Sequence, residues 1–178
     1  MIKISKKDVL VPADVPAGMR NKYIDNYLAA TQNSGRLMLF AGDQKIEHLN
    51  KDFFGEEIHP DDATPEHFFR IADKARIGIL AIQLGLIAKY GPDYRNIRYL
   101  VKLNSKSDLV KLEQKDPNSA NIWNVDEVLD FQKNSGLKIV GVGYTVYLGS
   151  EYEAEMVRGA AKMVYDAHKN GLITVLWM

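Results

Sequence analysis

The feature of this sequence that most constrains its fold is the alternation of short apolar runs with longer amphipathic stretches. Five apolar runs are predicted to be buried strands, at residues 37–41, 79–82, 99–103, 138–142 and 172–177. Helical patterns separate them, and the first run is expected to be buried on both faces. Strands that alternate with helices predict an α/β protein with a parallel sheet.

Capping patterns predict where the helices begin and end. Before the first strand, residues 1–36 form an N-terminal extension that contains one short amphipathic helix over residues 19–31. The other helix starts are predicted at Thr64, which precedes Pro65, and at two capping boxes, Asn124 with Glu127 and Ser150 with Glu153. Two of these helices are expected to end at Gly136 and Gly171.

Two architectures fit this order of elements. One is a complete, doubly wound α/β domain, and the other is a parallel β/α (TIM) barrel truncated after about five strands. A barrel of about 250 residues uses roughly 31 residues per unit, so residues 37–178 supply about four and a half units. We favour the truncated barrel, as a single domain over residues 1–178.

The amino-acid composition limits the classes of partner that this chain is expected to bind. Lys plus Arg and Asp plus Glu both number 23, so the formal net charge is zero, and neither nucleic acid nor an anionic membrane is an expected partner. There is no cysteine, which excludes disulfides and thiolate chemistry. The longest apolar stretch is interrupted by Gln83 and is too short to span a bilayer. A cytoplasmic location is the expectation.

The carboxyl ends of parallel strands carry the chemistry of α/β enzymes. In this chain they carry residues with a polar group: Asp43, Gln83, Asn104, Tyr144 and Trp177. The alternative is that polar residues begin wherever a buried strand ends. This alternative can explain a polar residue at any one of these positions, but it explains less well why all five positions carry one.

The segment after the first strand is rich in reactive groups. Asp43, Glu47 and His48 lie within six residues, and they could supply a general base and its partners. A solvated loop explains the same pattern. The spacing of His48, His59 and His67 matches no metal-ligand motif, so we expect no metal.

Lys102 is unusual because it lies inside an apolar strand, and lysine is rarely buried without a partner. A desolvated lysine can act as an amine nucleophile or a proton donor. If Lys102 faces inward near Asp43, the two form an acid–base pair at the barrel mouth. The alternative is a lysine that extends to the sheet edge and reaches solvent.

A nucleotide cofactor is not expected. Gly141 and Gly143 begin a dinucleotide-type pattern, but Val146 occupies the position of its third glycine. Ser150 has no convincing catalytic partners, and helix capping explains it better.

Four segments together resemble the archaeal-type class I fructose-bisphosphate aldolases. They are FAGDQKIEH at residues 40–48, LVKLNSK at 100–106, GYTVYLGS at 143–150 and VLW at 175–177. The resemblance runs in the family's order and spacing from about residue 37 to residue 178. Lys45 and Leu148 depart from it, because the family more often has Gly and Pro there.

The resemblance implies a TIM-barrel lyase that uses no metal. Such an enzyme cleaves fructose 1,6-bisphosphate to dihydroxyacetone phosphate and glyceraldehyde 3-phosphate through a Schiff base on a lysine. The residues implicated are Asp43 and Lys102 as catalytic groups, and, as substrate-binding groups, Glu47, His48, Asn104, Tyr144 and Trp177.

Trp177 resembles the first residue of the family's Trp-x-Tyr-Pro-Arg-Gly motif. The resemblance then implies that the Schiff-base lysine lies beyond residue 178 and that the 178-residue chain alone is inactive. We expect its unpaired edge strands to drive homo-oligomerisation or pairing with a complementary fragment. Two other interpretations remain open: a related Schiff-base barrel enzyme acting on another phosphorylated ketone, and a non-catalytic binding domain.

Overall fold

A parallel five-stranded sheet forms the centre of the molecule. The computed structural model describes residues 3–43, 53–106 and 118–178. In chain order its strands are β1 Leu39–Ala41, β2 Ile79–Gln83, β3 Arg98–Lys102, β4 Asn104–Ser105, β5 Ala120–Asn121, β6 Lys138–Thr145 and β7 Ile173–Trp177. The α-helices are α1 Arg20–Ala30, α2 Glu66–Lys74, α3 Leu84–Tyr90, α4 Val125–Ser135 and α5 Glu153–Lys169.

The order of the strands identifies the architecture. The sheet runs β1-β2-β3-β6-β7, every neighbouring pair is parallel, and the order follows the chain without reversal. A doubly wound sheet reverses its order at a switch point, whereas a β/α barrel adds each strand beside the previous one. The prediction of a truncated barrel is therefore confirmed, and the doubly wound alternative is wrong.

Alternate residues of each strand pack on opposite sides of the sheet. The outer face packs against the helices, and its core includes Leu80, Tyr99 and Val142 together with Phe69 of α2 and Met156 of α5. The inner face carries a second core, which includes the strand residues Ile79, Ala81, Leu100, Val140 and Ile173.

The N-terminal extension covers part of the inner face. Val9, Val15 and Tyr23 are buried in the inner core. Asp14 bonds His168 at the end of α5, with Nδ1 2.9 Å from the carboxylate oxygens. At Gly78, a Cβ atom would lie 1.8 Å from the Ala30 carbonyl oxygen, so only glycine permits this approach of α1 to the sheet.

Helix capping was predicted correctly at one of three sites. Asn124 and Glu127 form the expected capping box, and Gly136 ends α4 with φ +68°. At α2, Thr64 makes no side-chain cap, because the Pro65 position already serves as the N-cap. Helix α5 begins at Glu153, so Ser150 and Glu153 bond the preceding turn, at the N–H groups of Tyr152 and Gly149, rather than capping the helix.

Two further details differ from the prediction. Strand β1 is shorter than predicted and half-buried, with Met38 before it 62% exposed, because it pairs with β2 alone among the described strands. The antiparallel β4–β5 ribbon was not predicted, since two-residue strands leave no periodic signal. In the described part of the chain, no helix is long and apolar enough to cross a membrane.

Candidate active site

The carboxyl ends of three strands bring Asp43, Gln83 and Lys102 to one level of the sheet. Gln83 is the Cα partner of Lys102, and Lys102 is the partner of Gly143. Ala41 pairs with Ala81, so Asp43, two residues further along, stands level with Gln83. The N–H of Gly42 donates to the Ala81 carbonyl at 2.7 Å, which carries the pairing past the end of β1.

Asp43 and Lys102 form an ion pair at this level, in which Lys102 is buried and Asp43 is partly exposed. The Lys102 Nζ lies 2.6 Å from the Asp43 Oδ2, and the two side chains are 2% and 13% exposed. Of the two alternatives for Lys102, the structure has the inward-facing lysine beside Asp43 rather than a lysine that reaches solvent. Removing either member of this pair is expected to destabilise the fold, because the remaining charge loses a counter-ion where water is scarce.

Trp177 forms a wall of the same site. Its ring centroid lies 4.9 Å from the Lys102 Nζ, within the range of a cation–π contact. Gly143 makes room for the ring, because a Cβ there would lie 2.4 Å from Trp177 Cζ3. The structure thus brings Trp177 to the Asp43–Lys102 pair.

Asn104 belongs to the framework beside the pair. It is fully buried, and its Nδ2 donates to the carbonyls of Ser119 at 3.0 Å and Thr145 at 2.8 Å. Its Oδ1 accepts from the Thr145 N–H at 2.8 Å. All three bonds go to the backbone, so the structure gives Asn104 a framework role, and its predicted substrate contact stays a prediction.

Tyr144 lies on the other face of the sheet. Its hydroxyl donates to Asn121 Oδ1, and its side chain packs in the outer core. Burial, with a smaller effect of Glu155, raises the pKa of its phenol above the ordinary value. The structure does not bring Tyr144 to Asp43 and Lys102. Glu47 and His48, the other predicted substrate-binding residues, lie outside the described residues.

Sequence analysis named Gln83 among the polar residues at strand ends but assigned it no catalytic or substrate-binding role. Its side chain is 8% exposed, and neither amide atom has a hydrogen-bond partner. The available signal was a polar residue at the end of an apolar strand, which is a weak signal without the register. No group of three or more His, Asp or Glu suited to a metal ion occurs in the ranges that the structure describes.

Comparison with known proteins places the chain in a family. Residues 37–178 match the model of the DeoC/LacD family aldolases. The chain is 56% identical over 178 residues to a Methanocaldococcus jannaschii protein named fructose-bisphosphate aldolase/6-deoxy-5-ketofructose 1-phosphate synthase. It is 31% identical over 153 residues to the class 1 fructose-bisphosphate aldolase of Thermoproteus tenax. It covers 57% and 53% of these two relatives, so it spans about half their length.

Solved structures agree. A fructose-bisphosphate aldolase from Slackia heliotrinireducens superposes with a TM-score of 0.95 at 56% identity, over 99% of this chain and 55% of that one. An archaeal fructose-1,6-bisphosphate aldolase, whose catalytic lysine is covalently bound to the carbinolamine intermediate of its substrate, gives a TM-score of 0.70 at 31% identity, over 86% of this chain and 55% of that one. The resemblance noted in the four sequence segments is thus confirmed, and the chain belongs to the DeoC/LacD aldolase family.

Proposed function

We propose that this chain forms part of a class I aldolase that cleaves fructose 1,6-bisphosphate to dihydroxyacetone phosphate and glyceraldehyde 3-phosphate without a metal. The observation that carries the proposal is the Asp43–Lys102 ion pair at the carboxyl end of a barrel-type sheet. Relatives of 56% and 31% identity named as fructose-bisphosphate aldolases support it. We further propose that the enzyme is a cytoplasmic homo-oligomer.

The proposed reaction uses a lysine amine as an electron sink. The amine condenses with the C2 ketone and releases water, which gives a protonated imine. A base then removes the proton of the C4 hydroxyl, the C3–C4 bond breaks, and its electron pair moves to the imine nitrogen. Glyceraldehyde 3-phosphate leaves. The enamine that remains takes a proton at C3, and hydrolysis releases dihydroxyacetone phosphate and regenerates the lysine.

Asp43 is the proposed proton-transfer group among the described residues. Its carboxylate is at the end of β1, is partly exposed, and is held by Lys102 at 2.6 Å. Lys102 is the ammonium partner of that carboxylate, which disfavours it as the attacking amine. We therefore assign the Schiff base to another lysine and give Lys102 the role of orienting Asp43 and stabilising its charge, with the Trp177 ring packed against it.

A complementation assay tests this function. The chain is co-expressed with the C-terminal remainder of the Methanocaldococcus jannaschii relative, and fructose 1,6-bisphosphate cleavage is measured. We expect Asp43→Asn to lower kcat by about 10²-fold or more, as for loss of a general base. Asp93→Asn, an exposed acid on the turn after α3, is the matched control and should leave activity unchanged. Full activity of Asp43→Asn would contradict the assignment.

Borohydride trapping identifies the Schiff-base lysine. The wild-type complex is reduced in the presence of dihydroxyacetone phosphate and its peptides are mapped by mass spectrometry. We expect one adduct, on a lysine other than Lys102, and retention of that adduct in Lys102→Met. An adduct on Lys102 itself would overturn the division of roles, and no adduct at all would count against Schiff-base chemistry.

The name of one relative supports a second candidate. The Methanocaldococcus jannaschii protein is also named a 6-deoxy-5-ketofructose 1-phosphate synthase, and its identity to this chain is 56% over nearly the whole chain. The same site could therefore act on another phosphorylated ketone. Synthesis of that product by the complemented complex, measured beside bisphosphate cleavage, separates the two candidates.

A further inference from the structure

Gln83 lies on β2, which is the strand between the two strand ends that carry the ion pair. Lys102 on β3 must reach across β2 to meet Asp43 on β1, and Gln83 is the residue of β2 at that level. Neighbouring strands are about 4.8 Å apart, so the amide is within side-chain reach of both charged groups. Gln83 shares its face with Ile79 and Ala81 of the inner core, because strand residues alternate.

The amide nevertheless bonds neither group. Both of its polar atoms are inaccessible to solvent and have no hydrogen-bond partner, although the side chain is more than nine-tenths buried. Such an amide destabilises the protein without substrate, because it has lost its hydrogen bonds to water and has formed none within the protein. Buried unsatisfied amides are rare enough to require an explanation.

We propose that Gln83 is a positioning residue, whose amide binds Lys102 and Asp43 when a phosphorylated ketone separates them. Its Oε1 then accepts from the Lys102 ammonium, and its Nε2 donates to the Asp43 carboxylate. The polarity of an amide matches this task, with an acceptor for the cation and a donor for the anion. The role in turnover rests on the proposed aldolase function, whereas the exchange of partners can be tested without substrate.

A double-mutant cycle in thermal stability tests the exchange on the 178-residue chain. Gln83→Met keeps the side-chain length and removes the polar atoms, so we expect Tm to rise by about 2–6 °C. Asp43→Ala should lower Tm, because the ion pair is lost. In the Gln83→Met background the same change should lower Tm by about 3 °C more, since the amide can no longer accept a hydrogen bond from the Lys102 ammonium.

The matched control is Gln132→Met. The Gln132 amide donates to the Ile139 carbonyl at 2.7 Å, so its loss should lower Tm rather than raise it. A fall in Tm for Gln83→Met would show that the amide stabilises the resting state. Additive effects of Asp43→Ala and Gln83→Met would show that no exchange of partners occurs. Either result overturns the proposal.

Steady-state kinetics of the complemented complex test the role in turnover. We expect Gln83→Met to lower kcat for bisphosphate cleavage about tenfold with little change in KM, because the amide holds Lys102 and Asp43 in place once they are separated and does not hold the substrate. An unchanged kcat would contradict the positioning role. If the wild-type complex does not cleave the bisphosphate, the aldolase proposal fails, and the stability cycle still decides whether Gln83 binds the separated pair.

Discussion

At the scale of single residues, Asn104 connects three segments of backbone. Its one amide bonds the Ser119 carbonyl and both the N–H and the carbonyl of Thr145. Ser119 precedes β5 and Thr145 ends β6, so this side chain fixes the segments that follow β3 and β6 relative to each other. Asn104 thereby ties the chain just after Lys102 to the end of β6.

We expect Asn104→Ala to lower the free energy of unfolding by about 3 kcal/mol, since it leaves two or more buried backbone groups unpaired. Urea denaturation of the 178-residue chain measures the change. Asn124→Ala, which removes an exposed helix cap, is the comparison and should cost about 1 kcal/mol. If Asn104→Ala is as stable as the wild type, the bonds to Ser119 and Thr145 do not hold the frame together.

Gly143 decides the position of the Trp177 ring. We expect Gly143→Ala to displace the ring from Lys102 and to destabilise the chain by about 1–3 kcal/mol, because the added Cβ overlaps both Trp177 and Leu100. Tryptophan fluorescence in a Trp123→Phe background reports the displacement. Gly85→Ala is the control, since its Cβ meets nothing within 4 Å and should be neutral or stabilising. An unchanged spectrum for Gly143→Ala would contradict this close packing.

At the scale of elements, β3 is anchored by a buried tyrosine. Tyr99 is fully buried against Phe69 of α2, and its hydroxyl donates to the Tyr94 carbonyl at 2.9 Å. Burial, followed by the nearby Asp73 and Tyr94, raises the pKa of its phenol well above the ordinary value. The folded chain therefore holds this proton at pH values where the unfolded chain has released it.

We expect stability to fall as the pH rises above about 10, where an unfolded tyrosine ionises. The folded state then binds more protons than the unfolded state, so each such tyrosine removes about 1.4 kcal/mol per pH unit. Urea unfolding at pH 8, 10 and 11 measures the slope. Tyr99→Phe should be less stable at pH 8, because the hydrogen bond is lost, but should show a shallower decline. Equal slopes for the two proteins would be inconsistent with burial of the Tyr99 proton.

At the scale of the whole molecule, the described sheet has two edges. Strand β1 pairs with β2 alone and β7 with β6 alone among the described strands, and Met38 and Leu176 are 62% and 40% exposed beside them. Unpaired strand edges with apolar side chains favour pairing with another chain. Because the formal net charge is zero, electrostatic repulsion between chains does little to oppose such pairing.

We expect the 178-residue chain to self-associate at micromolar concentrations and above, with a mass in sedimentation velocity that exceeds 20.1 kDa and grows with concentration. Leu176→Lys should reduce the association, since a charge on an edge strand opposes pairing. Tyr165→Lys, on the exposed side of α5, should leave it unchanged. A monomer at all concentrations would rule out the role of the edges.

Much of this arrangement follows from local sequence. The five strands, α1, the capping box of Asn124 and the end of α5 near Gly171 were predictable, because apolar periodicity and capping depend on residues close in the chain. The helix starts at Thr64 and Ser150 were predicted wrongly, because Pro65 takes the N-cap position of α2 and the Ser150 hydroxyl bonds the turn before α5.

The sequence by itself determined an alternating α/β chain with a charged residue inside its third strand, and it left open whether Lys102 meets Asp43 or reaches solvent. Only the tertiary structure decided the direction of each strand-end side chain. Lys102 and Gln83 face the inner side, whereas Tyr144 packs in the outer core. The physical reason is that successive side chains of a strand point to opposite faces of the sheet. The register and length of β2, β3 and β6 therefore determine which polar groups meet. Register and length depend in turn on pairing between segments that are distant in the sequence.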